Sequence, residues 1–173
     1  MTSPTIETER LLLRRWKAQD LQPYAALCAD PEVMRWIGNG ATQSAEHCAT
    51  AIAGFEANWH DRGFGLFAVA LRDTGRFIGF VGFMSPTFLP EVLPAVEIGW
   101  RLARGAWGRG LATEGAKAAL RFGLEEIGLE RVICIVQTGN LASEQIALKL
   151  GMRLERETVD PSCKRPLRVY ETV

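Results

Sequence analysis

Apolar positions recur along this chain at two spacings. A spacing of three to four residues marks a helix with one buried face, and short alternating or unbroken apolar runs mark strands. Leu11, Leu12 and Leu13 stand between charged neighbours and predict a strand within residues 6–16. Leu21, Tyr24, Ala25, Leu27 and Cys28 carry helical spacing over residues 18–28, with Asp20 as candidate cap and Asp30-Pro31 as the stop. A second helix is predicted over 44–62, with Ile52, Phe55 and Trp59 on one face and Gly63 at its end. Residues 65–72 and 76–83 read as strands joined by Asp73-Thr74-Gly75, which has hairpin-turn chemistry. After a loop holding Pro86, Pro90 and Pro94 come a strand over 95–102 and a helix over 112–127. A buried strand over 131–137, a short helix over 142–150 closed by Gly151, and a hairpin of 153–159 with 167–173 complete the chain.

That order predicts a mixed α/β fold in a single domain over residues 1–173, with a central, mostly antiparallel sheet flanked by helices. A length of 173 residues fits one core. Twenty basic residues balance twenty acidic ones, so neither nucleic acid nor an anionic membrane is expected as the main partner. Residues 1–15 lack the basic-then-apolar pattern of a signal peptide, and no run reaches the ~20 apolar residues of a membrane span. Cys28, Cys48, Cys134 and Cys163 are widely spaced and predict neither a disulfide framework nor a metal site. A cytoplasmic location is the expectation.

Residues 96–114 carry the candidate chemistry, running strand, glycine-rich turn, helix. The first amides of a helix have no partners within it and, with the helix dipole, attract anions. Gly105, Gly108 and Gly110 remove side chains from the approach. The amides of Gly108, Arg109, Gly110, Leu111, Ala112 and Thr113 are therefore a candidate diphosphate cradle, with Arg104 and Arg109 as possible added charge. The alternative is a plain tight turn. A dinucleotide fold is excluded, because no G-x-G-x-x-G follows the strand, and the phosphate-binding G-x-x-x-x-G-K-[ST] is absent too.

Trp107, Gly110 and Ala112 occupy the places of [QR]-x-x-G-x-[GA], and the segment resembles motif A of GNAT acetyltransferases. Trp107 in the first place, Thr8-Glu9-Arg10-Leu11-Leu12-Leu13-Arg14 near the start, and Asn140 to Ser143 leading to Lys149-Leu150-Gly151-Met152 resemble the RimJ/RimL-like branch. The resemblance implies the GNAT fold, acetyl-CoA as cosubstrate, no metal, and an amine acceptor, either a peptide N-terminus or a small molecule. It leaves a homodimer open. It also implies that the pantetheine arm pairs with the backbone of Trp100, Arg101 and Leu102 like an added strand, with Gly99 placed to allow a bulge. Asn140 matches the family asparagine that bonds the pantetheine; a loop cap is its other reading.

Acetyl transfer needs a neutral amine, donors for the oxyanion, and a proton or hydrogen bond for the departing thiolate. Glu97, between Val96 and Ile98, is the candidate base and is expected to titrate high; alternation leaves open a solvent-facing role instead. The family tyrosine seven residues after the asparagine is replaced by Ala147, and Ile135 stands where some relatives carry an acidic base. Ser143 is then the candidate donor to the thiolate, with helix capping as its other reading. Glu114 reads as a first-turn carboxylate, and His47 and His60 as surface residues. Missing the tyrosine, the chain also fits a non-catalytic acyl-CoA-binding module.

Overall fold

The computed structural model describes residues 3–173, so the first two positions of the segment 1–15 lie outside the described residues. Eight strands form one sheet: β1 (Ile6–Glu7), β2 (Leu11–Arg14), β3 (Leu66–Leu71), β4 (Phe77–Met84), β5 (Val96–Leu102), β6 (Val132–Gln137), β7 (Arg153–Val159) and β8 (Pro166–Glu171). Their spatial order is β1-β2-β3-β4-β5-β6-β8-β7. Every neighbouring pair is antiparallel except β5 with β6. That exception follows from the chain, because a helix α4 (Leu111–Phe122) crosses over between them.

Helices α1 (Leu21–Cys28) and α3 (Ala45–Arg62) meet the sheet through an aromatic core of Trp16, Tyr24, Phe55, Phe77 and Phe80. A second core joins Ile98 and Leu102 of β5 to Leu111, Ala116 and Ala119 of α4 and Ala147 of α5 (Leu141–Lys149). Ala147 is fully buried there, so the position at which the resemblance would place a tyrosine holds a core methyl.

The predicted elements are present, with four differences. The first strand is two short strands, because Thr8 and Arg10 turn the chain back; the Thr8 amide donates to the Leu11 carbonyl. A short helix, α2 (Pro31–Met34), follows α1, with Asp30 as its cap rather than only a stop for α1. Asp20 does not cap with its side chain; it takes a forked pair from Arg14 and the Lys17 amide. The long helix leaves α-geometry at Gly123 and closes as a π-turn to Ile127, where a Cβ on Gly123 would stand 2.4 Å from the Phe83 ring. Among the described residues, no helix is long and apolar enough to cross a membrane.

Arg14 and Asp20 are both buried, at 7% and 1% exposure. Removing one partner strands the other charge. Asp20→Ala is expected to cost about 3–5 kcal/mol of stability, read as a lowered urea midpoint with an unchanged slope.

Candidate active site

Strands β5 and β6 pair over only Val96↔Val132 and Glu97↔Ile133. Beyond that point β6 continues on β8, from Ile133↔Glu171 to Gln137↔Leu167, while β5 continues on β4 as far as Gly79↔Leu102. The two parallel neighbours therefore part into a wedge. The Ala103 amide bonds to the Ile78 carbonyl, which fixes the alternation of the β4–β5 ladder. By that alternation the backbone groups of Arg101 and Gly99 face β4, and those of Ile98, Trp100 and Leu102 face the wedge.

Two expectations change as a result. Arg101 does not offer its backbone to a ligand in the wedge; its side chain is what reaches a cavity. Gly99 makes no bulge, since its pairing with Gly82 is in register; irregularities fall instead at Val69/Ala70 and Leu154/Arg156. Tight packing explains why: a Cβ on Gly79 would lie 2.1 Å from the Arg101 carbonyl oxygen, so β4 yields to β5 by giving up side chains. The Leu102 carbonyl is also taken, by Trp107 Nε1 at 2.9 Å, which folds the motif's tryptophan back over the strand end.

The head of α4 opens at the wide end of this wedge. Gly110 is its cap residue at φ +75°, a left-handed conformation that favours glycine, and it contributes no side chain to the first amides. A Cβ on Gly105 or Gly108 would meet nothing within 4 Å. Leu111 turns into the core, and Ala112 and Thr113 are half-buried. Arg109 is exposed, and its carbonyl accepts from Arg10 at 2.9 Å. Arg104 is not at the cradle, because its guanidinium is forked onto Asp30. Glu114 has a structural task. It accepts from the Thr8 hydroxyl at 2.7 Å, the Arg10 amide at 2.8 Å and Arg10 Nε at 2.7 Å, tying the first hairpin to the helix.

At the narrow end lies Glu97. Its side chain is 8% exposed, and its Oε2 has no hydrogen-bond partner. Burial pushes its pKa up from 4.5 to about 8, against a smaller pull from the Ile135 amide. The solvent-facing alternative for this residue is therefore wrong. The strand does alternate, but the face of β5 bearing Glu97 is roofed by a cavity of about 340 Å³ whose walls include Trp36, Phe80, Met84, Phe88 and Ile135. A second cavity, about 280 Å³, runs from Trp107 and Ala112 past Ile146. Trp100, Arg101, Asn140 and Ser143 border both, so the two are continuous.

Ser143 sits at that junction. Its Oγ accepts from Trp100 Nε1 at 3.3 Å and from Asn140 Nδ2 at 3.1 Å. Both lone pairs are thereby used, and the hydroxyl proton is left to donate elsewhere. Asn140 is also the cap of α5, its Oδ1 accepting from the Ser143 amide at 3.4 Å. Its two readings are thus compatible. His47 and His60 are exposed. Glu91 lies outside the cavities, bound by Thr158 and Arg156. Sequence reasoning missed Gln137, whose Nε2 holds the Gly38 carbonyl at 2.6 Å, and Arg165, which clamps the Arg35 and Asn39 carbonyls. Together they hold the Trp36 loop over the cleft; only contact across the fold reveals them.

The profile of the acetyltransferase (GNAT) domain matches residues 10–153. The chain belongs to the GNAT acetyltransferase family. An uncharacterized N-acetyltransferase of Bacillus subtilis, YoaA, is 31% identical over 152 residues, covering 88% of this chain and 84% of that one. Among solved structures, an acetyltransferase from Agrobacterium tumefaciens superposes with a TM-score of 0.83 at 29% identity, covering 100% of this chain and 96% of that one. A RimL ribosomal L7/L12 α-N-protein acetyltransferase in complex with coenzyme A shares the fold at TM-score 0.78 and 15% identity, over 98% of each chain. The acetyltransferase is thus an acetyl-CoA-dependent enzyme by family. Among the described residues, no group of His, Cys, Asp and Glu is arranged to hold a metal.

The buried carboxyl of Glu97 also governs stability. It ionises at about 8 when folded and at 4.5 when unfolded, so the unfolded chain loses its proton first. Its contribution is complete below pH 4.5 and is lost as pH rises to about 8. Glu97→Gln is expected to leave the melting temperature unchanged at pH 4 and to raise it at pH 8, measured by calorimetry at both values.

Proposed function

We propose that this acetyltransferase moves the acetyl group of acetyl-CoA directly onto a primary amine in a ternary complex, with Glu97 as base and Ser143 as donor to the thiolate. The observation that carries the reading is the position of Glu97. It is the buried carboxylate at the point of the wedge, with one oxygen unpartnered and its proton held to about pH 8. A base is most effective when its pKa lies near the working pH.

The amides from Gly108 to Thr113 hold the diphosphate at the head of α4, and Arg109 adds charge from the rim. Backbone groups of Trp100, and the Leu102 amide, pair with the pantetheine arm, and Asn140 holds its far end. Glu97 takes the proton of the attacking nitrogen, directly or through one water, as the nitrogen–carbon bond forms. The carbon–sulfur bond then breaks, and the Ser143 hydroxyl donates to the sulfur. Two donors onto Oγ draw electron density from that hydroxyl and make it a better donor than a free serine. A serine remains a weak acid, so its main effect is a hydrogen bond worth a factor of about ten.

Fully buried Ala147 favours a second reading, an acyl-CoA binder that does not turn over, because no phenol can stand at that position. Thiol release separates the two. In the transferase, free thiol appears in step with acetylated amine.

Three outcomes test the proposal. Acetyl-CoA raises the melting temperature of the native protein, as a native-state ligand must. Gly110→Glu abolishes that rise by placing a carboxylate at the diphosphate, and the free variant loses about 1–2 kcal/mol because a side chain is forced to positive φ. Glu97→Gln lowers kcat/KM about 10²–10⁴-fold. With an acceptor amine that titrates below pH 6, native kcat/KM climbs as pH rises through about 8, and the variant lacks that climb. A Glu97→Gln enzyme with native turnover and an unchanged pH profile would remove the base from this account.

A further inference from the structure

Among the described residues, two buried side-chain polar atoms have no hydrogen-bond partner: Glu97 Oε2 and Arg101 Nε. They share one strand, one face of it and one cavity. A buried donor or acceptor left unpaired costs about 1–3 kcal/mol, so two in one cavity point to a ligand that completes both.

Arg101 is the one arginine among the described residues that borders the cavity holding Glu97, and it differs from the arginines around it; Arg35, at the second cavity, is exposed and stacks on Trp36. Arg104 is paired with Asp30, and Arg165 is satisfied by the carbonyls of Arg35 and Asn39 and by Gln137. Arg101 takes part in no ion pair among the described residues. Its Nη1 reaches only the Tyr24 hydroxyl at 3.4 Å and Cys28 Sγ at 3.5 Å, both long contacts, and its Cζ lies 5.1 Å above the Phe80 ring. Burial raises the Tyr24 phenol far above its ordinary value, so it stays neutral and supplies no counter-charge. A guanidinium offers five donors in a fixed fork suited to a carboxylate.

We propose that the acceptor is a small amino acid-like zwitterion, its amine directed to Glu97 and its acidic group to Arg101, with an apolar body between them. This rests on the transferase reading of the same cleft. Positions 97 and 101 are four residues apart on an extended strand, roughly 13 Å between Cα atoms, so amine and acid must stand at opposite ends of the ligand. Phe80, Met84 and Ile135 line the intervening wall and favour hydrocarbon over further polar groups. A polyamine gains nothing here, since it brings a second cation to an unpaired guanidinium. A peptide N-terminus brings an acid only through an acidic side chain, and the Trp36 loop, held by Gln137 and Arg165, borders the cavity that a following chain would have to leave.

The test pairs each acid with its decarboxylated and amidated counterparts: 6-aminohexanoate with pentylamine and 6-aminohexanamide, and 8-aminooctanoate with heptylamine and 8-aminooctanamide. The acids are expected to show kcat/KM at least tenfold above their neutral counterparts in at least one series, mainly through KM. In Arg101→Gln that ratio falls to near one, and in Arg101→Lys, which keeps the charge but not the fork, it lies between. Folding of each variant is checked by its acetyl-CoA thermal shift. Equal or better use of the neutral amines, or a ratio unchanged by Arg101→Gln, overturns the proposal. Acetylation of peptide N-termini alone overturns it too while leaving the transferase reading intact. Absence of any acetyl-CoA shift in the native protein brings down both.

Discussion

The parting of β5 from β6 after two rungs is the constraint on which the site depends. Two parallel strands that begin as partners and then take different neighbours must leave unpaired backbone between them. In a packed core that loss needs compensation. Here the unpaired edge faces a cleft, onto which the main chain of Ile98 and Trp100 and the amide of Leu102 open, the Leu102 carbonyl being held by Trp107. The same divergence buries Glu97 at the closed end and sets the mouth of the wedge beside the first turn of α4.

Side chains around the wedge divide according to the alternation of β5. Trp100 points to the α5 side and meets Ser143, while Glu97 and Arg101 point to the opposite side, where α1 contributes Tyr24 and Cys28. One strand thus supplies side chains to both sides of the cleft. The glycines of β4 make this possible. With a Cβ at position 79 the two strands cannot lie close enough for the register that aims those side chains.

Much of the fold was legible because periodicity is local. The helices over residues 44–62 and 112–127 and the paired strands around Asp73-Thr74-Gly75 appear where spacing and turn chemistry placed them. The glycine-led start of α4 was legible for the same reason, since glycines before a helix are a contiguous signal. Features that depend on a distant partner were not. The turn splitting β1 from β2 is held by Glu114, and the role of Asp20 is set by Arg14. Sequence alone suggested an exposed or a buried Glu97 with equal force, because alternation says which face a residue takes but not what covers that face. Arg101 was assigned through its backbone, whereas its unpaired guanidinium becomes visible only once Tyr24, Cys28 and Phe80 surround it.

The bond set from Thr8 and Arg10 to Glu114 spans about a hundred positions of chain. The glycine motif is therefore not a portable unit. Transplanted into another protein with only its own helix, it would lack the lever that orients its opening turn, and the grip would be loose. Such long-range closure is slow to form. The anchoring turn can become rigid only after the opening segment has waited for most of the chain to be made, so the helix head takes its final orientation late, as a property of the finished molecule.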